Sequence, residues 1–151
     1  MIQRIQSLYL LLVTVLLVLT LCFPLGYFHA GANGLEEATF RALGVSAMEG
    51  AYQTTWGLFC ILLLSALVSF LTIFLFRNRM LQSKLCVVGM ALQVVWGAAL
   101  FFFASTLGGD GVSFHVGFAS AFPVVALVLY FMARRGILAD EKLVRAADRI
   151  R

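Results

Sequence analysis

Four long stretches of this chain are almost wholly apolar, and none of them contains Asp, Glu, Lys or Arg. They run from about Ser7 to Phe28, Thr54 to Phe76, Leu85 to Leu107 and Phe114 to Ala133. Each approaches the ~20 apolar residues that carry a helix across bilayer hydrocarbon. Peptide groups find no water there, so a spanning segment must satisfy them within a helix or a closed barrel. Barrel strands alternate in segments of about ten residues; these runs are continuous, which predicts helices. Composition removes the alternative of a water-soluble core. Of the 151 residues, 62% are hydrophobic and only 12% charged, against about 25% charged in an ordinary soluble domain. A chain this small cannot bury that much apolar surface and keep a polar skin. The expected fold is all-α: a polytopic membrane protein with an up-down-up-down four-helix bundle over residues 1–135, an outer loop over about 29–53, and a short amphipathic C-terminal helix over 136–151.

The first apolar stretch exceeds the roughly 7–15-residue core of a secretory signal. Ala30-Gly31-Ala32 looks like a cleavage site but follows too long a core, and Leu19-Thr20-Leu21-Cys22 places Leu21 where a lipoprotein signal needs a small residue. It is read as a retained helix. Lys and Arg in short loops then set the orientation. Arg4 precedes the first helix, Arg77, Arg79 and Lys84 lie between the second and third, and Arg134, Arg135, Lys142, Arg145, Arg149 and Arg151 follow the fourth; these are ten of the eleven basic residues. The other side holds Arg41 beside Glu36, Glu37, Glu49 and Asp110. The basic side is expected to be cytoplasmic, with both termini there. This placement accounts for the net charge of +4 and the pI near 9.3 without a nucleic-acid partner.

The connections complete the expected layout. Gly108-Gly109-Asp110-Gly111 predicts a tight turn, because glycine readily supplies positive φ, and the short stretch from Arg77 to Lys84 predicts another reversal. Within the outer loop, Thr39 to Val45 alternates weakly, as a short strand or hairpin would. Pro24 and Pro123 fall inside the first and fourth stretches and predict kinks. Beyond Arg135, Asp140 suits a helix N-cap, and Leu143, Ala146, Ala147 and Ile150 share one face. Glu141 can pair with Arg145, and Asp148 with Arg151. Such a helix could rest on anionic headgroups, dock a partner, or anchor the end of the fourth helix in solvent.

Few residues suggest chemistry. Gln93 lies about eight residues into the third helix, where a polar side chain needs a partner. Gly89, Gln93 and Gly97 recur every fourth residue on one face, and Ser65 and Ser69, with Gly117 and Ala121, offer matching small faces. Small residues at this spacing let helices approach closely in lipid, so structural glue is the leading expectation and a polar site along a pathway the sharper one. His29 and His115 fall near the outer ends of their helices at similar depth, where two imidazoles could ligate a haem iron; two interfacial imidazoles are the plainer reading. Zinc would lack further ligands. Glu36, Glu37 and Glu49 read as a solvated acidic loop rather than a cation site. Cys22, Cys60 and Cys86 lie in apolar stretches without metal-binding spacing and read as packing residues. Trp56-Gly57 and Trp96-Gly97 look alike but sit at different depths, so no duplication is inferred. Tyr27, Tyr52 and Trp56 suit an outer aromatic belt. No ionisable residue lies in the hydrocarbon region, unlike most proton-coupled pumps and voltage sensors, and no P-loop, nucleophile elbow, zincin or dinucleotide motif occurs. No cofactor or metal is expected.

Three stretches carry a family resemblance: Met1-Ile2-Gln3-Arg4-Ile5-Gln6, the turn from Phe74 through Arg77-Asn78-Arg79 to Gln82, and the tail from Asp140 to Arg151. Together they resemble an uncharacterised bacterial inner-membrane family, domain of unknown function 4293. The resemblance covers the whole chain and implies four membrane helices in the inner membrane, but no activity and no catalytic residues. The leading expectation is therefore a non-enzymatic accessory or scaffold subunit, contacting membrane lipids and other membrane subunits or further copies of itself. A small transporter or channel formed by oligomerisation, lined by Gln93, Ser65 and Ser69, is the alternative. A haem- or quinone-linked redox subunit comes next, and a lipid-modifying enzyme last.

Overall fold

A computed structural model describes residues 2–30, 36–46, 52–75, 78–107 and 113–148. It contains four helices, α1 (Ile2–Cys22), α2 (Trp56–Phe74), α3 (Arg79–Leu107) and α4 (Phe122–Asp148), and five strands, β1 (Gly26–Ala30), β2 (Glu36–Arg41), β3 (Gly44–Ser46), β4 (Tyr52–Thr54) and β5 (Ser113–Val116). All four helical segments are long and apolar enough to cross a membrane. The fold is thus mostly helical, as expected, but the all-α assignment is corrected by an antiparallel sheet of order β4-β3-β2-β1-β5.

α1 packs against α2 and α4, and α3 also packs against α2 and α4, so the helices close a four-membered ring. Gln6 of α1 meets Gly136 of α4, Gln82 of α3 meets Thr72 of α2, and Arg79 meets Asp140. These contacts gather the start of α1, the end of α2, the start of α3 and the late part of α4 at one end, which we call the basic end. The sheet occupies the opposite end, and the helices alternate up and down between the two.

At the basic end α3 starts earlier, at Arg79, than its apolar stretch, and at the sheet end two helix boundaries differ. α1 stops at Cys22, because Pro24 cannot donate a helical N–H and forces Phe23 out of helical geometry. Leu25 then donates to the Phe40 carbonyl at 2.7 Å and the chain enters β1. The fourth stretch begins as β5, turns at Gly117, makes one 3-10 turn over Phe118–Ala121 and only then enters α4. Pro123 is the second residue of α4, where its missing N–H has no helical acceptor to lose. Neither proline lies within a helix interior, so the expected kinks are replaced by boundaries. At its other end α4 runs unbroken through Arg134-Arg135-Gly136 to Asp148. The C-terminal tail is not a separate helix, and Asp140 caps nothing; it is an interior residue of α4. The glycine turn at 108–111 lies outside the described residues.

The Thr39–Val45 expectation is met by the β2–β3 hairpin, in which Arg41 faces Gly44 and Phe40 faces Val45. Its apolar face joins the bundle core. Phe28, Phe40 and Phe114 stack at centroid distances of 4.8 to 6.0 Å, and Phe28, Phe40 and Val45 belong to the same buried cluster as Leu10, Leu17, Leu62 and Tyr130. Gly26 is required at the centre: a Cβ there would lie 2.6 Å from the Phe114 ring and 2.7 Å from the His115 carbonyl oxygen.

The outer surface of the bundle is as apolar as its interior. Only 22% to 33% of each spanning window is buried, and the rest exposes Leu8, Leu11, Val15, Leu64, Leu67, Phe70, Val94, Phe101 and Val124. Water would penalise that surface by about 25 cal/mol per Å²; hydrocarbon would not. Inside, α3 and α4 approach closely at Gly89, where a Cβ would lie 2.5 Å from Tyr130 Cζ. Gly89→Ala is therefore expected to destabilise the bundle by roughly 1–3 kcal/mol, seen as a lowered thermal midpoint in detergent. Gly97→Ala meets no neighbour within 4 Å and should leave the midpoint unchanged or slightly raised.

Candidate functional site

Polar side chains inside the bundle are concentrated at two depths. The inner group joins all four helices through α2. Gln93 Nε2 of α3 donates to Ser65 Oγ at 2.6 Å, and the Tyr130 hydroxyl of α4 donates to the Ser65 carbonyl at 3.2 Å. One turn along α2, Ser69 donates to the Leu10 carbonyl of α1 at 3.0 Å, while Thr14 of α1 donates to Ser69 at 3.0 Å. Ser65 and Ser69 are fully buried and Gln93 nearly so. Such bonds are short-range fasteners between helices. Two polar atoms of this layer, Gln93 Oε1 and Trp96 Nε1, have no hydrogen-bond partner.

Not all the small residues expected at this interface reach it. Gly89 does, against Tyr130. Gly97 is exposed with open space before it. Gly117 precedes the 3-10 turn and packs on the Leu25 backbone, where its N–H donates to the Leu25 carbonyl at 2.8 Å. Ala121 ends that turn and is exposed. The Gly117/Ala121 pair is therefore not a packing face of α4, because α4 starts after it. Sequence reasoning missed Thr14 and Tyr130, whose acceptors on α2, Ser69 and Ser65, stand fifty-five and sixty-five residues away in the chain.

The second group lies at the basic end. Gln6 is buried against Gly136, where a Cβ would sit 3.2 Å from Gln6 Cγ. Gln82, also buried, donates to the Thr72 carbonyl at 3.3 Å. Arg79 Nη1 lies 3.0 Å from Asp140 Oδ2 as a charge pair, although Asp140 Oδ2 makes no well-directed hydrogen bond; the same nitrogen approaches the Asp140 carbonyl at 3.4 Å. Glu141 and Arg145 pair at 3.0 Å, as their spacing predicts. Lys84, Arg135 and Lys142 are exposed and Arg134 is half-buried. Arg77, Arg149 and Arg151 lie outside the described residues, as do the Arg4 side chain and the expected Asp148–Arg151 pair.

The two histidines meet on the outward face of the sheet. β1 and β5 pair with Tyr27 opposite His115 and His29 opposite Ser113, which sets the imidazoles diagonally, 4.8 Å apart and edge to face at 84°. That contact leaves no room for a porphyrin between the rings, so the arrangement does not fit axial haem ligation. Among the described residues, no three His, Cys, Asp or Glu gather as a metal site. Cys22, Cys60 and Cys86 are unbonded thiols, the last buried.

The architecture is that of a small four-helix bundle of bilayer-crossing length, clasped by a sheet at one end and fastened by polar contacts at the other. The chain belongs to the family described as Domain of unknown function (DUF4293), which matches residues 2–150. No curated protein matches it. The stretches that carried the family resemblance converge at the basic end, through Gln6, Arg79, Gln82 and Asp140.

Two measurements probe these layers. A double-mutant cycle on Arg79→Ala and Asp140→Ala is expected to give a coupling of up to about 1 kcal/mol, since both groups retain some solvent contact. Gln93→Leu should destabilise the detergent-solubilised protein by about 0.6 kcal/mol and by less than ~2, read in the same unfolding assay.

Proposed function

We propose that this protein is a non-enzymatic membrane subunit that acts through contacts, as an accessory or scaffold component of an inner-membrane assembly. In this reading it crosses a bacterial inner membrane four times, with the basic end and both termini in the cytoplasm. One observation carries the proposal. At 1.5 Å per residue the 27 residues of α4 reach about 40 Å, well beyond the ~30 Å of bilayer hydrocarbon. The surplus is braced where it leaves the bundle, by Gly136 on Gln6 and Asp140 on Arg79. Past that brace it presents Leu143 and Val144, 60% and 42% exposed, beside Lys142 and Arg145. A stiff, amphipathic projection suits a partner surface.

The channel alternative draws less support. Its lining residues, Gln93, Ser65 and Ser69, are spent on one another and on Tyr130, Thr14 and Leu10 within a single bundle. Exposing them to a pore between copies would require that bundle to come apart.

Purification in mild detergent with mass analysis tests the proposal: a co-purifying membrane protein is expected, and loss of that companion on Leu143→Glu/Val144→Glu. A chain that runs alone, or only with itself, refutes it. Orientation is tested by impermeant thiol labelling of intact cells. Ser46→Cys on the sheet should label from outside, and Lys142→Cys only after lysis.

A further inference from the structure

Phe131, Arg134, Arg135, Leu138, Ala139 and Lys142 border a recess of about 340 Å³ along one face of α4. The spacing repeats at three and four residues, so the six form a single stripe on the helix. Its chemistry changes along its length. Phe131, 54% exposed, lies at the apolar end of the stripe, and the three cations follow toward the basic end. Among the described residues no carboxylate borders the recess, and the two acids nearest in sequence are engaged elsewhere, Asp140 with Arg79 and Glu141 with Arg145.

Arg134 supplies the sharpest pointer. Its Nε is shielded from solvent and has no hydrogen-bond acceptor among the described residues. A buried guanidinium N–H left unpaired is unfavourable, and an anionic oxygen is the acceptor that relieves it best. Arg134 also stands where the uncharged part of α4 ends, after Ala133. A ligand seated there would meet apolar surface on one side and cations on the other.

We propose that this recess is a binding site for one anionic phospholipid, with its phosphate on Arg134, Arg135 and Lys142 and an acyl chain against Phe131. A free anion would use the three cations but gain nothing from Phe131 and Leu138. A zwitterionic lipid would bring its own cation to a site that already has three.

Native mass spectrometry of the full chain in neutral detergent tests this, with dioleoylphosphatidylglycerol and dioleoylphosphatidylcholine as the two probes. Tighter retention of the phosphatidylglycerol, by about tenfold, is expected. Arg135→Gln/Lys142→Gln, which alters only exposed residues, should erase that preference. Lys84→Gln/Arg41→Gln removes the same charge away from the recess and should keep it. Equal retention of both lipids, equal loss in both variants, or displacement of the bound lipid by millimolar inorganic phosphate would each overturn the assignment.

Discussion

The close approach of α3 and α4 at Gly89 governs how this bundle is built. With no side chain at that position, the Tyr130 ring fills the space against the α3 backbone, and its hydroxyl then reaches the Ser65 carbonyl on α2. Three helices are thereby referenced to one aromatic ring. Gln93, one turn from Gly89, completes the arrangement by donating to the Ser65 hydroxyl. In lipid, where burying leucine against leucine gains little over leaving it among acyl chains, such contacts carry much of the helix–helix specificity. The exposed leucines, valines and phenylalanines of the outer surface contribute solvation rather than choice of neighbour.

Much of this was legible in the sequence, and the failures have physical causes. Charge-free stretches located all four helices, and the four-residue spacing of Gly89 and Gln93 identified the α3 contact. Hydropathy alone could not tell helix from strand at the sheet end. Phe28, Phe40 and Phe114 are as apolar as any membrane residue, but they line the core face of strands. Gly26 and Pro24 held the signal: a proline after Cys22 and a glycine beneath Phe114 suit a chain that leaves the helix early. The unbroken α4 was missed for the opposite reason. Arg134, Arg135 and Gly136 resemble an end, yet the arginines are good helix formers and Gly136 leaves room for Gln6 to pack against α4. Tyr130 and Thr14 gave no local sign at all, because their hydrogen-bond partnerships depend on which helices become neighbours.

Polarity is distributed unequally between the two ends. At the basic end the polar groups come from helices and hold the bundle closed: Gln82 donates to the Thr72 carbonyl, Arg79 pairs with Asp140 and Gln6 packs on Gly136, while Arg135 and Lys142 are exposed. At the sheet end the polar residues, including Tyr27, His29, His115, Thr39 and Ser46, lie on the face of the sheet turned from the core, and their backbone is satisfied by strand pairing. The Thr39–Ser46 hydroxyl contact of 2.8 Å is a cross-strand pair of that face.

The sheet draws its strands from every connection at its end of the bundle: β1 follows α1, β2 to β4 lead into α2, and β5 joins α3 to α4. Hydrogen-bonded as one body, it acts as a common pivot. Helices tied at that pivot cannot slide lengthwise past each other without breaking strand register, so the compliant motion left to them is a fanning of the far ends. The Arg79–Asp140 ion pair bridges α3 and α4 toward those far ends and so opposes the fanning.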